Sequence, residues 1–159
     1  MRCIIVRHGK AERSSETGRD EDRVLTPRGR RQAEFLARLF ADPAKRPALI
    51  LASRFERALT TAKIIEVAAG CPLQKVPELE AGTPCSEAIE LIARHKTSVP
   101  LLLVGHNPQL AELIGVLLHG LPVHEEDLRT GEAVVLELRA SNLVGTAKEL
   151  ARLRLEDED

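Results

Sequence analysis

Residues 3–12 read CIIVRHGKAE. The apolar run Cys3–Val6, β-branched at three of its positions, gives way at once to Arg7, His8 and Gly9. A short apolar run without alternation predicts a strand covered on both faces. Such strands belong to sheets sandwiched by helices, where ligands bind outside the carboxyl ends of the strands. An arginine and a histidine at that position therefore face a ligand site, and Gly9 lets the backbone approach closely.

The rest of the chain repeats the pattern. Residues 10–24, KAERSSETGRDEDRV, are polar and without period, and predict a solvated loop. LTPRGRRQAEFLARLF (25–40) predicts a helix with Thr26 as N-cap and Pro27 as first residue. Its apolar side carries Ala33, Phe35, Leu36, Leu39 and Phe40. ALILAS (48–53) is a second buried strand. The helix after it, FERALTTAKIIEVAAG (55–70), turns Ala58, Leu59, Ala62, Ile65 and Ala69 inward and ends at Gly70. LQKVPEL (73–79) alternates as a short strand, and SEAIELIARH (86–95) is a helix capped by Ser86. VPLLLVGH (99–106) is the third strongly apolar strand. NPQLAELIGVLLHG (107–120) is a helix with Asn107 as N-cap, Pro108 at its first position and Gly120 past its end. EAVVLEL (132–138) and ELARLRLE (149–156) alternate as strands. Alternating strands and helices imply an α/β fold, a single three-layer αβα domain with a mostly parallel central sheet over residues 1–155. Residues 156–159, EDED, form an acidic tail.

Composition narrows the function. A net charge of −1 argues against duplex nucleic acid as a partner, because such binding rests on bulk positive charge. No stretch is long and apolar enough to span a membrane, and no signal peptide is legible. Cys3, Cys71 and Cys85 are odd in number and lack metal-ligand spacing, which suits reduced thiols and a cytoplasmic location.

Parallel strands would bring Arg7 and His8, Arg57, Glu78 and His106 to one edge of the sheet. Taken singly, Arg57 reads as a solvated helix residue, His106 as a hydrogen-bonded strand-end histidine and Glu78 as a surface carboxylate. Placed together at matching strand ends, the arginines, histidines and two helix N-termini make a cup for a dianion. A histidine held there could attack phosphorus. His95, His119 and His124 read as helix-end or loop residues.

VRHGKA, LTPRGRRQA, SRFERALTTA, VPELEAG and LLLVGHNPQL, in that order, resemble the motifs of the histidine phosphatase (phosphoglycerate-mutase-like) superfamily. The likeness is greatest to the small SixA-type phosphohistidine phosphatases. It implies a phosphoglycerate-mutase-like fold and His8 as a nucleophile that is transiently phosphorylated. It also implies that Arg7, Arg57 and His106 hold the phosphoryl oxygens, with Gly9 and Asn107 beside them. Glu78 matches the carboxylic acid that protonates the leaving group in larger members, and the nearby Glu80 is the alternative. Arg54 departs from the pattern, since many members carry proline there.

Two arginines and His106 can supply the charge that Mg²⁺ supplies elsewhere, so no metal or cofactor is expected, and phosphate-like oxyanions should inhibit. The span from Gly70 to Val99 leaves little chain for a cap, so the site should be open. An open site favours phosphohistidine on a partner protein. The alternatives are a phosphomonoesterase of a small metabolite, with the 10–25 loop folded over the site, and a module that binds a phosphorylated ligand without turnover.

Overall fold

The computed structural model describes residues 1–123 and 127–156. His124 and residues 157–159 of the acidic tail lie outside the described residues. Six strands form one sheet in the order β3-β2-β4-β1-β5-β6. They are β1 (Arg2–Arg7), β2 (Leu49–Ala52), β3 (Leu73–Lys75), β4 (Leu101–Gly105), β5 (Ala133–Glu137) and β6 (Lys148–Leu153). The first four in sheet order run parallel, while β5 and β6 are added antiparallel beyond β1. The helices are α1 (Pro27–Phe40), α2 (Glu56–Ala69), α3 (Cys85–Arg94) and α4 (Gln109–His119).

The apolar runs of β1, β2 and β4 are continuous because both faces of these strands are covered. Ile4, Val6, Ile50, Ala52, Leu102 and Val104 face Leu36, Phe40, Ala62 and Ile65 of α1 and α2. Cys3, Ile5, Leu49, Leu51, Leu101 and Leu103 face Leu91, Ile92, Leu113 and Leu117 of α3 and α4. Register aligns the strand ends: Val6 sits opposite Val104, and Arg7 opposite Gly105. After β1 the chain crosses to the α1 and α2 face, whereas after neighbouring β4 it crosses to the α3 and α4 face. A crevice opens where adjacent parallel strands send their helices to opposite faces. His8 and His106 stand at its two lips.

Several boundaries differ from the sequence reading. Thr26 does cap α1, its hydroxyl accepting from Gly29 N at 3.0 Å. Ser86, in contrast, lies inside α3, and the N-cap position is Pro84, whose extended backbone (φ −69°, ψ 152°) leads into the helix without a side-chain cap. Pro108, not Asn107, holds the N-cap position of α4. Asn107 still reaches Ala111 N with Oδ1, at 3.3 Å, but its amide is drawn to the Leu128 carbonyl at 2.7 Å. Leu59 is only half-buried, whereas Arg57 and Thr61 on the same helix are buried. The LQKVPEL strand stops at Lys75, and Pro77 begins a 3₁₀ turn, Pro77–Leu79. A second 3₁₀ turn, Asp20–Asp22, and a bridge between Ala11 and Leu25 shape the 10–24 loop. Between α2 and β4 stand only β3, the 3₁₀ turn and α3, with no cap domain.

Candidate active site

His8 follows β1 directly and is 7% exposed. Its backbone N–H donates to the Gly105 carbonyl at 3.1 Å, and its carbonyl accepts from Gly131 N at 2.9 Å, so the end of β4 and the turn before β5 hold it. Its Nδ1 lies 2.7 Å from the Gly9 carbonyl. A carbonyl only accepts, so Nδ1 carries the proton and Nε2 carries the lone pair. Burial pushes the His8 pKa down to about 4; the Gly9 carbonyl opposes this, and the charges of Arg57, Arg7 and Arg23 add to it. At neutral pH the ring is uncharged, with a free lone pair on Nε2.

His106, at the end of β4, is 2% exposed, and its ring centroid is 5.2 Å from that of His8. Burial, with smaller contributions from His8 and Arg57, lowers its pKa to about 3. The edge of Phe55 packs on the His106 ring at 5.2 Å, and the Arg54 and Arg57 guanidiniums lie over the Phe55 face.

Arg7 donates through Nη1 to the Leu128 carbonyl at 3.1 Å. Arg57, in the first turn of α2, is buried at 4% exposure. Three buried nitrogens here have no hydrogen-bond partner: Arg7 Nε, Arg57 Nε and His106 Nδ1. Buried polar groups without partners are costly, on the order of 1–3 kcal/mol each. Finding three of them on residues gathered around one neutral histidine marks a place shaped for an anion with several oxygens.

The loop residue Asp20 closes one side. It takes Arg57 Nη1 on its carbonyl at 2.7 Å and Arg57 Nη2 on its carboxylate at 3.0 Å. Its other carboxylate oxygen accepts from Arg23 at 2.9 Å. These arginines hold the Asp20 carboxyl below its ordinary pKa, Arg23 most strongly. Arg54 ties the same loop to the segment after β3, donating to Glu21 and to Glu80, each at 2.7 Å. An open hollow beside this tie is lined by Arg19, Asp20, Glu21, Phe55 and Ala81.

The remaining residues singled out from sequence are placed as follows. Glu78 lies in the Pro77–Leu79 3₁₀ turn, ion-paired to Arg94 of α3 at 3.2 Å. Glu80 is held by Arg54. The Asn107 side chain is engaged with Leu128 and Ala111. Gly9 does permit a close backbone approach, but the neighbour is Gly29 of α1: a Cβ on Gly9 would stand 2.5 Å from the Gly29 carbonyl oxygen. Among the described residues no group of three His, Cys, Asp or Glu side chains is arranged to hold a metal ion, and no helix is long and apolar enough to cross a membrane.

Supporting residues escaped the sequence reading. Thr61, one turn beyond Arg57, accepts from Gly9 N at 3.1 Å and donates to the Arg57 carbonyl at 2.8 Å, linking the turn after β1 to the first turn of α2. Gln109 holds the Glu78 carbonyl at 2.6 Å. Ser53, fully buried at the end of β2, sits 2.8 Å from His106 Nε2. The strand-end rule that selected His8 and His106 also points to Ser53. Spacing of four from Arg57 would have found Thr61.

The model of the histidine phosphatase superfamily (branch 1) matches residues 3–81. No curated protein matches the sequence. Among solved structures, a protein assigned as the phosphohistidine phosphatase SixA of Agrobacterium tumefaciens is 27% identical, with 96% of each chain covered and a TM-score of 0.80. A protein histidine phosphatase SixA complexed with tungstate is 21% identical, with 97% of each chain covered and a TM-score of 0.83. A mycobacterial glucosyl-3-phosphoglycerate phosphatase complexed with VO3 is 19% identical, covering 93% of this chain and 96% of that one, with a TM-score of 0.73. At these identities the last two show likeness of fold.

Proposed function

Since this chain belongs to the histidine phosphatase superfamily, we propose that it hydrolyses phosphohistidine on a partner protein through a phospho-His8 intermediate. The observation that carries the reading is the neutral, buried His8 among three unpartnered nitrogens of Arg7, Arg57 and His106. The His8 Nε2 lone pair attacks phosphorus in line, and the bond to the leaving imidazole breaks with its electron pair going to that nitrogen. Water then attacks phospho-His8, giving inorganic phosphate and restoring the ring. Such a transfer needs little covalent chemistry from the protein beyond the nucleophile, so positioning and charge stabilisation carry the rate. Arg7, Arg57 and His106 supply both, and the reaction should run without a metal. The oxyanions bound in the SixA and mycobacterial structures support tungstate and vanadate as inhibitors.

The absence of a cap between α2 and β4 supports a protein-borne substrate over a small enclosed one. The free thiols Cys3, Cys71 and Cys85 support a cytoplasmic location. One observation favours the metabolite phosphomonoesterase instead: the 10–24 loop lies against Arg57 through Asp20, partly covering the site.

The test is phosphate release from a histidine-phosphorylated phosphotransfer protein, beside a panel of sugar and nucleotide phosphates, with and without EDTA. Enzyme quenched in alkaline detergent should carry base-stable, acid-labile phosphate on His8, and His8→Ala should reduce turnover by at least about 10⁴-fold while leaving the fold intact, since no neighbour replaces the covalent step. Strict dependence on added divalent metal, or substantial activity in His8→Ala, overturns the mechanism. Preference for a small ester overturns the substrate, and a stable phospho-enzyme with no release indicates a binding module.

A further inference from the structure

The Ser53–His106 contact has two readings, hydroxyl donating to ring or ring donating to hydroxyl. A third group decides between them. The Phe55 amide, at the start of α2, donates to Ser53 Oγ at 3.1 Å. Oγ is therefore already an acceptor, and its own proton has one neighbouring acceptor to go to, His106 Nε2. In the reverse arrangement the ring would donate to Oγ, the buried hydroxyl proton would lack a partner, and Nδ1 would be a buried lone pair. That lone pair would lie beside the anion site and repel any oxyanion held there. The first arrangement satisfies every atom of the cluster except Nδ1–H, which is left as a donor.

Resting on the reading of this crevice as a phosphoryl site, we infer that Ser53 is a positioning residue whose hydroxyl donates to His106 Nε2 and so keeps the ring proton on Nδ1, aimed at a phosphoryl oxygen. Three features hold Ser53 for this task. Its side chain is fully buried, its backbone N–H donates to the Val104 carbonyl at 3.1 Å, and Val104 lies two residues before His106 on the adjoining strand. The chain Phe55 N–H, Ser53 O–H, His106 Nδ1–H thus transmits the polarity of the α2 N-terminus to the ligand. The two histidines reach the same tautomer by opposite means. His8 donates Nδ1–H to a carbonyl and frees Nε2 to attack. His106 accepts at Nε2 and frees Nδ1–H to bind.

The experiment is ¹⁵N NMR of the histidine rings in the full chain, with tungstate titration and steady-state rates on the same samples. Wild-type His106 should show the Nδ1–H tautomer. Ser53→Ala should move a measurable share of the ring to Nε2–H, and tungstate affinity and kcat/KM should fall about 10–100-fold, the usual effect of removing an orienting partner. Ser53→Thr, which keeps the hydroxyl, should restore the tautomer and most of the affinity. A wild-type His106 in the Nε2–H form overturns the inference, and that spectrum needs no variant to fold. An unchanged tautomer in Ser53→Ala overturns it too, even if activity falls, because the loss would then come from packing. The tautomer is read without turnover, so an Nδ1–H ring in a protein inactive on every phosphate ester and phosphohistidine would refute the proposed reaction and leave the Ser53 assignment standing.

Discussion

Gly9 presents its carbonyl to His8 Nδ1 and thereby chooses which nitrogen of the ring is free. The same burial that holds this geometry keeps the ring neutral, with a pKa of about 4. A depressed histidine pKa means that the reactive form persists further into acid. The acid limb of kcat/KM, which reports the free enzyme, should therefore fall near pH 4, well below the ordinary histidine value of roughly 6.5. An acid limb near 6.5 in a pH–rate profile would show that His8 is not desolvated as described. The carboxylates make a second test. Glu78 is tied to Arg94 and Glu80 to Arg54, so neither stands unpaired in the crevice. An alkoxide leaving group needs protonation, worth about 10²–10⁴-fold, whereas a phosphohistidine already protonated on its ring leaves as neutral imidazole. Paired rates should show Glu78→Gln or Glu80→Gln slowing alkyl phosphates strongly and phosphohistidine weakly. Equal losses on both substrates would mean that the carboxylate shapes the site and protonates nothing.

Close backbone approach joins β1 to α1. A Cβ on Gly29 would overlap the Lys10 carbonyl, just as one on Gly9 would press on Gly29. Helix propensity alone favours alanine over glycine by about 1 kcal/mol, so Gly29→Ala would stabilise an isolated α1. Here the clash with backbone overrides that gain, and overpacking of this kind costs about 1–3 kcal/mol. Gly29→Ala should lower stability by roughly that amount in urea unfolding, with some loss of turnover as Gly9 is displaced. A stability gain would show that the turn after His8 yields freely. Arg54 works differently: half exposed, it joins the loop at Glu21 to the segment at Glu80 across the mouth of the crevice. Proline at this position, common in the resembling family, could not make that tie.

The whole molecule bears an acid liability because two neutral histidines are buried together. The unfolded chain takes up protons on these rings below about pH 6.5, while the folded chain resists until about 4 for His8 and about 3 for His106. The unfolded state thus binds more protons within this window, and stability must fall as pH drops through it. One pKa unit corresponds to about 1.4 kcal/mol, so the loss between pH 6.5 and 4.5 should exceed that figure. Asp20, held below its ordinary value by Arg23 and Arg57, contributes at lower pH, below the window of the histidines. Urea unfolding of the His8→Asn, His106→Asn double variant should show a flatter pH dependence between 6.5 and 4.5. An unchanged slope would assign the acid sensitivity to other groups.

Much of this architecture follows from local chemistry. Apolar runs ending in Arg7–His8 and in His106 are legible as buried strands because burial on both faces removes every polar residue from them. The ends of α1 and α2 are legible because Thr26–Pro27 and Gly70 act within one turn. The parallel order that gathers Arg7, His8, Arg57 and His106 is implied by the alternation of strands and helices, since parallel neighbours need crossovers. Other features depend on partners distant in sequence, and local pattern carries no trace of them. Asn107 and Ser86 have the chemistry of caps, but Leu128 draws away the one amide and Pro84 precedes the other as the first turn begins. Whether Glu78 faces a ligand or an arginine was decided by α3, which brings Arg94 beside it. The polar 10–24 loop has no period to read, yet Asp20 reaches Arg57, 37 residues away, because folding places a buried guanidinium beside the loop, where the Asp20 carbonyl and carboxylate both accept from it.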